Sequence, residues 1–152
     1  MTVTREQVVA KAREYIGTPF QHQGRVKGKK GGIDCVGLVM CVAEELGIVG
    51  ADGQPMLRGD YFDYSAEPID GYVHVGCKVR LVPGDMRDIR PGDIACMKIP
   101  TEPCHTAIIS ENGGALYVIH AYNGGKCLVV EHILDKAWLR RICGVFHFVG
   151  VA

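Results

Sequence analysis

The chain carries no surplus of charge of either sign: 17 Lys and Arg balance 17 Asp and Glu over 152 residues. A balanced chain of this kind argues against a nucleic-acid or anionic-membrane partner held by bulk charge. No apolar run approaches the roughly 20 residues of a membrane-spanning helix. No signal peptide opens the chain, so synthesis in a cytoplasm is expected. There is also no C-x-x-C pair, and the Cys104, His105 and His120 spacing does not suit a closed structural zinc site. The seven cysteines are odd in number, in a chain too long for a disulfide scaffold. Reduced thiols are therefore expected, with Cys41, Cys77, Cys96, Cys127 and Cys143 filling the core. Neither a metal nor another cofactor is implied. The Gly- and Lys-rich stretch 21–32 lacks the Gly-Lys-Ser/Thr ending of a phosphate loop and reads as a basic, mobile rim. No repeat or low-complexity tract is present, and the length suits one domain with its own core over residues 1–152.

What is there begins with two helices. Thr4 and Gln7 have capping-box spacing, and Val8, Ala12, Tyr15 and Ile16 share one apolar face, ended by Gly17 and Pro19. A second helix is predicted over 34–46, with Asp34 as its N-cap and Gly47 as its stop. On it, Cys35, Leu38, Val39, Val42 and Leu46 form the core-facing stripe, while Glu44 and Glu45 face outward. Residues 50–68 are polar and turn-rich around Tyr61, Phe62 and Tyr64, and 72–82 is read as a strand. From Pro91-Gly92-Asp93 onward the pattern is that of an antiparallel meander. Strands are predicted over 94–98, 105–110, 115–120, 127–131 and 144–149, with a helical turn at 134–139 and glycine turns after Asn112 and Asn123.

Cys35 is the most informative residue. A thiol at a helix N-terminus meets the positive end of the helix dipole, which favours thiolate, the nucleophilic form. His105 and His120 lie on two strands joined by a tight turn. With Asn112-Gly113 as the turn, Ser110 faces Ala115 and His105 faces His120, on one side of the sheet with Ala107, Ile109, Leu116 and Val118. That apolar face is expected to pack on the Cys35 helix. The parts then suit nucleophilic catalysis: Cys35 attacks a carbonyl, His105 acts as base and acid, and His120 orients His105. The Cys35 N–H is placed to receive the oxyanion. His22, in the 21–32 loop, is placed either to reach substrate or to face solvent. No partner is evident for His74, His132 or His147.

Five short motifs occur in order: Gly17-Thr18-Pro19-Phe20, Asp34-Cys35-Val36-Gly37-Leu38, Pro91-Gly92-Asp93, His105-Thr106-Ala107-Ile108 and Ile119-His120-Ala121-Tyr122. In this order they resemble the NlpC-type cell-wall cysteine peptidases. The Gln21-His22-Gln23-Gly24 loop and the run Trp138 to Phe146 are similar to the branch found in phage tails, prophages and gene transfer agents. The resemblance implies an α+β, papain-like fold, with the Cys-bearing helix packed on an antiparallel sheet. It implies hydrolysis of amide bonds in peptidoglycan stem peptides, commonly between γ-D-glutamate and a diamino acid, by Cys35, His105 and His120. Asp34 matches a position that contacts the substrate's free amine. Phe20 stands where many relatives have a Tyr whose hydroxyl lies near the thiol, and Val36 where many have Ser. Phage tail proteins are implied as partners, with delivery to the cell wall by a tail or by lysis. An amidase or acyltransferase using the same triad, and a non-catalytic tail component, are the alternatives.

Overall fold

Thr4 starts the first helix, α1 (Arg5–Arg13), through a complete capping box. Its side chain accepts from the Gln7 N–H, and the Gln7 side chain accepts from the Thr4 N–H. The computed structural model describes residues 2–57, 72–99 and 103–151, with backbone alone for Tyr72, Pro103 and Cys104. The aromatics Tyr61, Phe62 and Tyr64 lie outside the described residues. Val8, Val9, Ala12 and Tyr15 are buried, whereas Ile16 is exposed. The helix ends at Arg13, so the turn that follows moves Ile16 off the apolar face.

The basic stretch 21–32 has internal structure. It holds a two-stranded antiparallel ribbon, β1 (Arg25–Val26) and β2 (Gly32–Ile33). The ribbon leads into α2 (Cys35–Glu45), capped by Asp34 and closed after Leu46 by Gly47 at φ +70°. The stretch 72–82, read from sequence as a strand, is instead α3 (Tyr72–Arg80) followed by the short β3 (Val82–Pro83). Its valines favour a strand locally, but Val73, Cys77, Arg80 and Leu81 recur at helical spacing. Val73 packs partly buried on the core, and the other three are buried. Packing of that face overrides the local preference.

The remaining elements are β4 (Ile94–Lys98), β5 (Pro103–Asn112), β6 (Ala115–Ala121), β7 (Val129–Ile133), α4 (Lys136–Leu139) and β8 (Ile142–His147). All pairings in the six-stranded sheet are antiparallel, in the order β3-β8-β4-β5-β6-β7. The architecture is thus α+β, with helices on an antiparallel sheet. No helix among the described residues is long and apolar enough to cross a membrane.

Two apolar layers sandwich this sheet. The larger lies under α1, α2 and α3 and takes Ile94, Cys96, Ile108, Ile119 and Phe146 from the strands. The smaller, on the reverse face, holds Ala95, Met97, Ala107, Ile109, Val118, Ile142 and Val145, with Leu134 and Trp138 packed on it. The face expected beneath the Cys35 helix therefore lies on the other side. Residues 105–110 are buried without interruption, so alternation of polarity along β5 could not tell its faces apart. Cys127, expected in the core, is exposed at φ +54°, in the turn between β6 and β7.

The Pro91-Gly92-Asp93 motif ties α1 to the sheet. Asp93 is buried, accepting from the Arg90 N–H at 2.8 Å and from Arg5 Nη1 at 2.7 Å. Gly92, at φ +87°, lies so close to α1 that a Cβ would sit 2.9 Å from Arg5 Cβ. Replacing Asp93 with Ala would leave the largely shielded Arg5 without its counter-charge, and losing one partner of a buried pair costs about 3 kcal/mol. Urea unfolding of Asp93→Ala is expected to show a loss of that order. A loss below about 1 kcal/mol, the range of an exposed pair, would mean that α1 is not held through this contact.

Candidate active site

Asp34 builds the start of α2. Its carboxylate is buried and accepts from the Gly37 N–H at 2.8 Å, from Arg25 Nη1 at 3.0 Å and from the Gln23 N–H at 2.7 Å. The cap thereby gathers the ribbon onto the first turn of the helix. The Arg25–Asp34 pair is largely shielded, with side-chain exposures of 9% and 4%, so the net charge beside Cys35 is cancelled. Gly37 is required by contact: a Cβ there would meet the Gly24 carbonyl oxygen at 2.5 Å and Arg25 Nη1 at 2.7 Å. The Asp-Cys-x-Gly spacing therefore has a local physical reason. Asp caps, Cys opens the helix half-buried, and Gly admits the loop that covers it.

Phe20 is half-buried against the larger core, bridged to Ile33 on one side and donating its N–H to the Cys127 carbonyl on the other. His22 is half-buried in the turn that follows. The glycines of the ribbon serve close backbone packing: a Cβ on Gly24 or Gly31 would lie 2.4 or 2.2 Å from a carbonyl oxygen.

The β5–β6 hairpin turns on Gly113-Gly114, not on Asn112-Gly113. Both glycines have positive φ, +61° and +83°, as the tight two-residue turn with right-handed strand twist demands. Asn112 pairs with Ala115, and Ser110 with Tyr117. The register thus differs by two residues from the sequence reading. An even shift preserves the face, so His105 and His120 remain on one side as diagonal neighbours. His105 Nε2 and His120 Nδ1 are 2.7 Å apart.

The chain of rings continues. His120 Nε2 lies 2.8 Å from His132 Nε2, and His132 Nδ1 lies 2.9 Å from the Ile133 carbonyl oxygen. A carbonyl only accepts, so His132 Nδ1 is the donor there. With neutral rings the other protons follow: His120 Nε2–H donates to His132, His105 Nε2–H donates to His120, and His105 Nδ1 is left as a lone pair. His132 has a partner after all. The partnership depends on the β6–β7 register: His132 pairs with Val118, two residues from His120 and on its face.

Trp138 of α4 covers this chain. Its ring stands at 88° to His120 with centroids 4.9 Å apart, and Arg141 lies over the indole at 4.2 Å from its centroid. Tyr122 stacks on His120. Burial in this apolar layer pushes His105 down to about 3 and His120 to about 2; Arg141 adds to both, and the neighbouring rings add to His120. Both imidazoles are therefore neutral near pH 7.

Thr106, the residue after His105, points the opposite way. Its hydroxyl donates to the Cys35 carbonyl at 3.0 Å. The structure thus joins His105 and His120 directly, and holds the strand carrying His105 to the residue carrying the thiol. Thr106 and Trp138 were not singled out as functional from sequence, since neither carries a titratable group.

By sequence, the chain matches no known protein family and no curated protein. By structure, it is similar to an NlpC/P60 family protein from Bacillus cereus ATCC 10987, with a TM-score of 0.64 and 17% identity. The match covers 98% of this chain and 41% of that one. It is also similar to the NlpC/p60 domain of the peptidoglycan hydrolase SagA, with a TM-score of 0.54 and 19% identity, covering 95% of this chain and 98% of that one. The fold is accordingly that of the NlpC/P60 proteins.

Neutral burial of two histidines has a thermodynamic sign. Unfolded, each binds a proton near pH 6.5; folded, neither does until about 3 and 2. The unfolded state thus holds more protons below pH 6.5, and stability falls as pH is lowered. Each imidazole contributes a slope approaching about 1.4 kcal/mol per pH unit. Chemical denaturation between pH 6.5 and 5, above the main carboxylate range, is expected to show this decline. A flat profile would mean that the folded site accepts the protons.

Proposed function

We propose that the chain is a cysteine peptidase of the NlpC/P60 kind that cleaves amide bonds in peptidoglycan stem peptides. The observation that carries this reading is the directed imidazole chain, which leaves His105 Nδ1 as the free base one residue from the Thr106–Cys35 clamp. In the proposed reaction, His105 Nδ1 takes the Cys35 proton as sulfur attacks the scissile carbonyl carbon. The Cys35 N–H, at the positive end of α2, receives the developing oxyanion. The intermediate collapses to a thioester as His105 passes its proton to the leaving amine. Water, deprotonated by His105, then attacks the thioester and restores the thiol. His120 holds the His105 ring and keeps Nδ1 unprotonated. Two features support a neutral base over a preformed ion pair: burial depresses the charged form of His105, and Trp138 covers the chain.

The finer reading follows the sequence resemblance. The scissile bond is that between γ-D-glutamate and a diamino acid. In this reading Phe20 and His22 flank the approach to Cys35, and Asp34 contributes to substrate binding by building the helix start. The enzyme acts at the cell wall after delivery by a phage or prophage tail.

The test is digestion of purified sacculi with the fragments identified by mass spectrometry. Wild type is expected to release stem-peptide fragments with a new γ-glutamyl carboxylate. Cys35→Ala and His105→Ala are expected to fall to background while remaining folded. Turnover of simple amides or thioesters without sacculus cleavage would favour an amidase or acyltransferase. No turnover of any of these would favour a structural tail component.

His132 provides a second test. His132→Phe keeps a ring but removes the acceptor for His120 Nε2–H, freeing His120 to take the other tautomer. A wrong tautomer in a triad costs up to about 10⁴ in kcat, and a partial loss of about tenfold or more with an altered pH profile is expected. His132→Gln, which can still accept, is expected to recover part of it. Equal rates and profiles in all three proteins would remove His132 from the machinery.

A further inference from the structure

On the helix side of the sheet, away from the imidazole chain, four sulfur and nitrogen ligands converge from three elements. α3 carries His74 and Cys77, three residues apart and so neighbours on its surface. Cys96 is in the middle of β4 and fully buried. Cys143 belongs to β8, where the register against β4 slips: Cys96 pairs with Gly144, but Met97 pairs with Ile142. Cys143 is thus the extra residue of a bulge, a device that re-aims a side chain. The His74 ring nitrogen, Cys96 Sγ and Cys143 Sγ all lie within 4.8 Å of one another. Cys77 is buried in the same core cluster as Cys96, one helical turn from His74, and its thiol helps to raise that of Cys96. Gly144 admits the imidazole, since a Cβ there would lie 3.2 Å from His74 Nε2.

Core cysteines acting as small hydrophobes have no need to meet one another, or a histidine. Three thiols and an imidazole drawn from a helix and two strands make the donor set of a closed zinc site. We propose that His74, Cys77, Cys96 and Cys143 bind one zinc ion tetrahedrally, as a structural clip fastening α3 to β4 and β8. Zn–S bonds of about 2.3 Å set sulfur–sulfur separations of about 3.7 Å, so Cys96 and Cys143 would close in by roughly 1 Å at most, with Cys77 completing the set from α3. Binding expels three thiol protons to solvent and leaves a site of net charge −1. Lys78 and Lys98, whose charge is felt at His74, offset it. The expectation of no metal rested on the missing C-x-x-C pair. Here the only close pair is a His-x-x-Cys on a helix, and the two remaining ligands are distant in sequence.

The proposal is independent of the catalytic reading and is tested in Cys35→Ala protein, which lacks the proposed nucleophile. Purified under reducing conditions without chelator, this protein is expected to carry one zinc per chain by elemental analysis. Chelation is expected to lower its melting temperature. Cobalt(II) added to the apo form is expected to give thiolate charge-transfer bands and the visible bands of a tetrahedral site. His74→Asn and Cys143→Ser, both at half-buried positions, are expected to keep the fold and lose those bands. Absence of zinc and of cobalt bands in folded Cys35→Ala protein would overturn the proposal. So would a disulfide among Cys77, Cys96 and Cys143 in protein purified without reductant.

Discussion

Successive side chains of a strand must point to opposite faces, and the arrangement of this molecule depends on that rule acting at β5. β5 is buried on both sides. Thr106 faces the helices and grips the Cys35 carbonyl, while His105 faces the smaller layer and joins His120. One peptide bond therefore connects the layer that holds the helix start to the layer that holds the imidazoles. Neither layer alone would bring the proposed nucleophile and base into register. The Asp93–Arg5 pair and the Gly92 contact hold the sheet against α1 in the same way.

The two sides treat charge differently. Beside Cys35 the carboxylate of Asp34 is answered by Arg25, and the end of α2 supplies partial positive charge. Among the described residues, the hydrogen-bonded chain of His105 and His120 holds imidazoles and no carboxylate, with an indole and a guanidinium beyond it. A site in which the base is held neutral by burial differs from one in which a carboxylate stabilises its charged form. In the proposed reaction, proton affinity at His105 rises when a negative charge arrives, as it would when sulfur loses its proton.

Most of the fold was legible because its signals are local. The capping box at Thr4, the Asp34 cap, the glycine stops and the strand alternation each need only a few neighbouring residues. The failures are non-local. The stretch 72–82 has strand-like composition and becomes helix because its buried face packs on the sheet. The side of β5 that meets α2 could not be read from a strand apolar on both faces. The hairpin register was two residues off, yet the histidine pairing survived because an even slip returns each side chain to its own face. His132, Thr106 and the α3–β4–β8 cysteine cluster were missed for a common reason. Each acquires its partner only when elements distant in sequence are brought together.

The imidazole chain also has a direction. It ends on the Ile133 carbonyl, which can take a hydrogen bond but cannot release a proton in exchange. A proton captured at His105 could shift inward from ring to ring, but beyond His132 it meets a carbonyl that cannot pass it on. The relay is a dead end. In a peptidase of the proposed kind, that proton would go forward to the amine being expelled. Delivery of the proton to the leaving group would then depend on a wire blocked at its far end as much as on the groups at the near one.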